Sequence, residues 1–123
     1  MSYARALVLA ATFLTAPAVA EEAADTDPAC EQATTQGIVE CLSDQAERWD
    51  TRLNAAYKTA MDGMSEERRK GLRDVQRQWI AWRDANCGWY AEGEGTISRI
   101  EAAECDRSLT RARALELEEL GSK

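Results

Sequence analysis

The sequence predicts an all-α protein: a small antiparallel helical bundle of three main helices plus a short N-terminal helix, closed by two disulfides. Three observations predict it. Apolar residues recur at three- and four-residue steps from Ala46 to Leu117, the period of helices with one buried face. No stretch of useful length alternates apolar and polar residues as a half-buried strand would. Four cysteines all lie beyond an export-type N-terminus, where thiols are oxidised, and so read as two bridges.

The elements follow in order. Met1 to Arg5 carries one positive charge, Ala6 to Phe13 is apolar, and Ala18-Val19-Ala20 after Pro17 is a small-x-small cleavage site. Residues 1–20 therefore read as a secretory signal peptide. Their apolar run is too short to span a bilayer, and no second one occurs, so no membrane insertion is expected after cleavage. The expected address is the periplasm, with the extracellular space as the alternative. Residues 21–28 (EEAADTDP) are small and acidic and read as a disordered leader. The domain proper is expected over 29–121.

Pro28 is placed to open a short helix from Ala29 to about Thr35, which Gly37 breaks. The first main helix starts near Ile38 or Ser43 and carries Ala46, Trp49, Leu53, Tyr57 and Ala60 on one face. Asp62-Gly63 ends it. Ser65 caps the second, with Glu66 and Glu67 in its first turn. Its apolar stripe is Leu72, Val75, Trp79 and Trp82, widened by Ile80, and it is expected to end near Asn86. Gly88 to Gly95 reads as a glycine-rich loop. Thr96 is the expected cap of the last helix, which bears Ile97, Ile100, Cys105, Leu109, Ala112 and Leu117 and ends at Leu120-Gly121. Three cysteine pairings are compatible with the sequence. A hairpin of the last two helices would bring Cys87 near Cys105, and Cys30–Cys41 would pin the short helix across Gly37, which favours the local pairing.

Removal of Arg5 with the signal leaves 14 basic against 22 acidic residues, a net charge of −8. Nucleic acid and anionic membranes are poor partners for such a surface, and a cationic protein suits it electrostatically. Histidine is absent, which removes Ser-His and Cys-His catalysis, and the wide cysteine spacing does not suit zinc. A bundle of this size also has little room for a deep cleft between paired carboxylates. No enzyme, cofactor or metal site is expected.

Trp79 and Trp82 are expected in the core, with Trp49 and Tyr57 as partners. Arg83 is placed to lie on an indole face or to donate to a carbonyl, and Asp84, near a helix C-terminus, needs a cation: Arg83, Arg99 or Arg107. Asn54 is expected to bond to another helix or a loop. Trp89, Tyr90, Glu92 and Glu94 form the candidate partner-binding element. Two aromatics and two acids on glycine-rich chain beside a disulfide have the make-up of a recognition loop; the other reading folds the aromatics back onto the core.

Three runs carry a family resemblance: LNAAY at 53–57, LRDVQRQWIAWRDANC at 72–87, and CDRSLTRAR at 105–113 followed by Leu117. With the cysteine pair at 30 and 41, they resemble the LprI-type domain (DUF1311). The matching positions are Leu53, Asn54, Tyr57, Leu72, Gln76, Trp79, Trp82, Arg83, Asp84, Cys87, Cys105, Leu109, Thr110, Arg113 and Leu117. The resemblance implies a secreted, helical, disulfide-bonded domain. The family's namesake is a lipoprotein described as a lysozyme inhibitor; this chain has no cysteine directly after its signal. The function expected is a non-enzymatic binding protein directed at lysozyme-type muramidases. The alternative is an envelope adaptor or stress protein that binds another envelope protein and ignores lysozyme.

Overall fold

The computed structural model describes residues 25–123, so the signal segment and the first half of the acidic leader lie outside the described residues. Three helices follow: α1, Thr35–Asp62; α2, Glu66–Ala91; and α3, Ile97–Gly121. Thr34 opens α1 in an extended conformation, its side chain accepting from the Gly37 amide, the arrangement that satisfies an orphan first-turn donor. Ser65 does the same for α2, accepting from Arg68 N, with Glu66 and Glu67 at the positive end of the helix dipole.

The short helix expected at 29–35 is absent. Residues 26–32 have no regular structure, and α1 begins at Thr35 and runs through Gly37 without a break. Gly37 sits in the first turn for a different reason. A Cβ there would lie 2.9 Å from Gln32 Cβ and 3.2 Å from Thr34 Oγ1, so the glycine lets the incoming chain pass close over the helix start. Gly88, by contrast, is helical and faces open space. The two glycines should respond oppositely to alanine. Gly88→Ala should raise unfolding stability by about 0.5–1 kcal/mol through helix propensity, whereas Gly37→Ala should lower it by about 1 kcal/mol through overpacking, both read from urea unfolding.

α3 is the central helix, packed along α1 on one side and α2 on the other; the described residues give α1 and α2 no comparable interface. Consecutive helices run antiparallel, so α1 and α3 run parallel: Arg52 meets Glu118, and Ala60 meets the end of α3 at Gly121. The core is Trp49, Leu53 and Ala56 of α1 against Ala114 and Leu117 of α3, with Tyr57, Leu72 and Trp79 packed against it half-buried. Arg69 of α2 donates to the Met61 carbonyl and so satisfies the C-terminal end of α1.

The leader is ordered in its second half, contrary to the expectation of disorder over 21–28. Asp27 Oδ2 accepts from Trp49 Nε1 and Arg107 Nη1, both at 2.7 Å. Asp25 Oδ1 pairs with Arg52 at 2.7 Å, its carbonyl accepts from Arg111, and Gln45 donates to the Pro28 carbonyl. This acidic strap lies across α1 and α3 and is anchored by Cys30–Cys41, whose Cα atoms are 5.8 Å apart. Hydrogen bonds donated by Arg52 to Glu118 and by Arg107 to Glu104 outweigh burial and hold both guanidinium pKa values above the ordinary arginine range, so these pairs stay charged wherever their carboxylates are ionised.

Candidate functional site

The tryptophan-rich run of α2 forms the seam with α3, and its order along the helix explains its residue types. Gln76 is buried and accepts at 3.0 Å from Arg113 Nε, itself buried and tied by its Nη1 to Glu116. One turn on, the Trp79 ring lies between two guanidinium groups, Arg83 at 5.1 Å and Arg113 at 5.9 Å. Such cation–π contacts stabilise most when desolvated, as on this inner face. Arg83 also donates to Thr110 Oγ1 and Asp84 and pairs with Asp106. Cys87–Cys105, Cα atoms 5.5 Å apart, closes the seam, and Asn86 donates to the Cys105 sulfur.

Several expectations on single residues change here. Asp84 takes Arg83 among its three candidate partners, but α2 continues to Ala91, so Asp84 lies two turns inside the helix and its pairing is not a terminal dipole effect. Trp82 is not core: it is 53% exposed, because α2 packs mainly on α3 and buries a narrow face. Asn54 bonds to Asp50 one turn earlier in its own helix, since its position faces solvent. Tyr57 and Leu109 are half-buried, and Leu53, Thr110 and Leu117 are fully enclosed.

Past the seam is the hairpin tip. The expected loop 88–95 is half helix: Gly88 to Ala91 complete α2, and only residues 92–96 turn the chain. Gly93 N donates to the Tyr90 carbonyl, and Gly95 takes φ 75°, a left-handed conformation that favours glycine. Thr96 does not cap α3. Its backbone is already helical, and Ser98 closes the turn instead by donating from Oγ to the Gly95 carbonyl at 2.7 Å. The tip is therefore short, hydrogen-bonded and stapled by the second disulfide at its base.

Trp89 is 69% exposed on this tip and meets Tyr90 edge to face, ring centroids 5.1 Å apart. Trp89 does not fold back onto the core, whereas Tyr90 is more than half covered and borders a groove with Asn86, Cys105 and Leu109. Glu92 and Glu94 are exposed beside the two aromatics; Ile97, expected on the buried stripe of the last helix, is 56% exposed, and with Glu101, which the sequence reading passed over, it extends the same end. Residues 88–101 carry three acids against one base, Arg99, and none of the three acids is ion-paired among the described residues. The structure thus joins Trp89, Tyr90, Glu92 and Glu94 on one rigid, acidic, aromatic projection.

A concavity of about 370 Å³ lies under the strap between Asp27, Leu42, Arg107 and Arg111. Its arginines are committed to Asp27, Glu104 and the Asp25 carbonyl, which leaves little unspent charge for a ligand. Among the described residues no group of three or more carboxylate, cysteine or histidine side chains is placed to hold a metal, and no helix is long and apolar enough to cross a membrane.

The sequence is 31% identical to an uncharacterized protein of Rhizobium meliloti (strain 1021), over 86% of each chain. No solved structure matches. The model of the family described as lysozyme inhibitor LprI matches residues 26–117, from the strap to the last buried leucine, and takes in both disulfides, the α2–α3 seam and the tip. The chain belongs to the LprI lysozyme-inhibitor family.

Proposed function

We propose that this protein is exported and binds lysozyme-type muramidases, inhibiting them through the tip of the α2–α3 hairpin without chemistry of its own. The observation that carries this reading is Trp89: a large indole, mostly solvent-exposed, packed edge to face on Tyr90 in the last turn of α2, next to the second disulfide. Exposed aromatics on rigid supports are the residues that dominate binding energy at protein interfaces. The family description supplies the class of partner.

Charge supports the same partner. Lysozyme-type enzymes are strongly basic, with a cleft around two carboxylates. A chain of net charge −8 after signal removal is steered toward them, with an on-rate that falls as salt rises. Glu92, Glu94 and Glu101 would be repelled by the catalytic carboxylates. They therefore meet basic residues at the rim, and Trp89 is the anchor that enters the apolar part of the cleft.

The test is a cell-wall lysis assay with the mature protein at low and moderate salt. Stoichiometric inhibition is expected, weaker at higher salt. Trp89→Ala should raise the inhibition constant about 30-fold, the scale of an interface hot spot. Absence of inhibition at stoichiometric excess under both conditions removes the reading.

A further inference from the structure

α2 carries a second exposed apolar feature that the tip does not absorb. Val75, Trp82 and Trp89 are 51%, 53% and 69% exposed and recur every seven residues, so they form one stripe along a 26-residue helix. Two half-bare indoles and a valine amount to a patch of a few hundred Å², large for a domain of this size. α3 covers the side of α2 bearing Gln76 and Cys87, and α1 meets α2 mainly at its start through Arg69, so the stripe stays half-bare among the described residues.

We propose that this face of α2 pairs antiparallel with the same face of a second copy of the chain. A seven-residue apolar repeat is the pattern by which two helices pack side by side at a shallow angle. The charges choose both partner and direction. Residues 66–78 hold five basic side chains (Arg68, Arg69, Lys70, Arg73, Arg77) against three acidic, whereas residues 79–95 hold one basic, Arg83, against three acidic (Asp84, Glu92, Glu94). Arg83 is turned inward on Trp79 and pairs with Asp84, which leaves Glu92 and Glu94 as the exposed charge of the second half; in the first half Arg73 and Arg77 pair with Glu66 and Asp74, which leaves Arg68 and Lys70 as exposed bases with no ion pair among the described residues. Parallel pairing would set base against base and acid against acid. Antiparallel pairing sets the basic half of each copy on the acidic half of the other, which is the self-complementarity a two-fold interface requires.

The stripe also fixes the register. A two-fold axis between Gln78 and Trp79 places Val75 opposite Trp82 of the second copy, twice by symmetry. The same axis sets exposed Arg68 opposite Trp89 of the second copy, at the end where Glu92 and Glu94 lie. One operation thus pairs every exposed apolar residue of the stripe with a complementary group. Trp89 then belongs to both this interface and the proposed muramidase contact, so the dimer and the inhibitory complex exclude one another.

The test reads molecular mass by sedimentation equilibrium and uses no muramidase, so its failure leaves the proposed function standing. The mature chain should show a monomer–dimer equilibrium between micromolar and millimolar concentration. Val75→Glu and Trp82→Lys, both at exposed positions, should each keep the helical circular dichroism spectrum and raise the dissociation constant at least about tenfold. An equimolar mixture of the two should recover the dimer, because this register alone sets the new acid against the new base while keeping one Val75–Trp82 contact. A chain that stays monomeric at millimolar concentration overturns the proposal. So does a dimer that survives both substitutions, or a mixture that remains monomeric.

Discussion

Leu117→Ala is expected to remove about 2–5 kcal/mol of unfolding stability, the largest loss of any single leucine truncation in the chain. Leu117 is 0% exposed and sits where the three helices come closest to a common centre, beside Leu53 and Ala56 of α1 and with Leu72 and Trp79 of α2 packed against the same cluster. Truncation there loses the transfer energy of the side chain and leaves a cavity. The cavity cannot collapse easily, because Leu117 is bounded by two different helices and by Ala114 on its own. The core is small: buried apolar residues are confined to a few positions on α1 and α3 plus the Cys87–Cys105 bridge. For a domain with the usual total of about 5–15 kcal/mol, such a loss brings the midpoint of urea unfolding close to zero denaturant at the upper end. The control is Leu109→Ala on the same helix, half-buried outside the cluster, which should lose clearly less. Equal losses at the two positions would show that the core lies elsewhere.

The same central position of α3 explains which parts of the fold the sequence disclosed. α1 packs mainly on one neighbour, so its buried residues Ala46, Trp49, Leu53 and Ala60 follow a plain helical stripe and were legible as such; Ala56, also buried, was not read, and Tyr57, read on the stripe, is half-buried. α3 lies between two helices and turns different residues to each. Its enclosed positions Ser98, Thr110, Arg113 and Ala114 do not form one apolar stripe, while Ile97, read as core, is exposed. α2 misled in the opposite sense. Its leucine, valine and tryptophans read as a buried stripe, but the face it turns to α3 is built largely from polar groups, Gln76 and Arg83, whose partners Arg113 and Thr110 are distant in sequence. A buried glutamine–arginine bond leaves no periodic signature; only the spacing of the family motif marked those positions. Both bridges of the favoured local pairing are present: a helical hairpin brings Cys87 to Cys105, whereas Cys30–Cys41 ties down an irregular segment and not the short helix it was expected to pin. The strap was not: an eight-residue acidic run is compositionally a disordered leader, and what orders it is a set of arginines contributed by two later helices.

Removing the Cys87–Cys105 bridge, by a double Cys→Ser substitution, is expected to lower stability by about 3 kcal/mol, from the chain entropy of a loop with a sequence separation of 18. The distribution of that loss matters more than its size. α2 buries only Gln76 and Cys87 and is held to α3 by the Gln76–Arg113 bond, the Trp79 stack, the Arg83 contacts and the bridge. Without the bridge, the C-terminal half of α2 and the turn to α3 retain mainly Arg83 and the Ser98 closure. Amide hydrogen exchange should therefore rise most over residues 84–101, while the α1–α3 contact around Leu53 and Leu117 keeps most of its protection, as expected when local opening follows contact density. Loss of Cys30–Cys41, by contrast, should expose the strap and leave the tip unchanged, because that bridge anchors only residues 25–32 over α1. The two variants also divide in function. The tip depends on its staple for a fixed Trp89, so the Cys87–Cys105 variant should inhibit muramidase far more weakly than its remaining fold would suggest, and the Cys30–Cys41 variant should inhibit nearly as well as the parent. Protection lost evenly along the chain, or equal inhibition by both variants, would mean that the staple acts on the whole domain and that recognition does not reside at the tip.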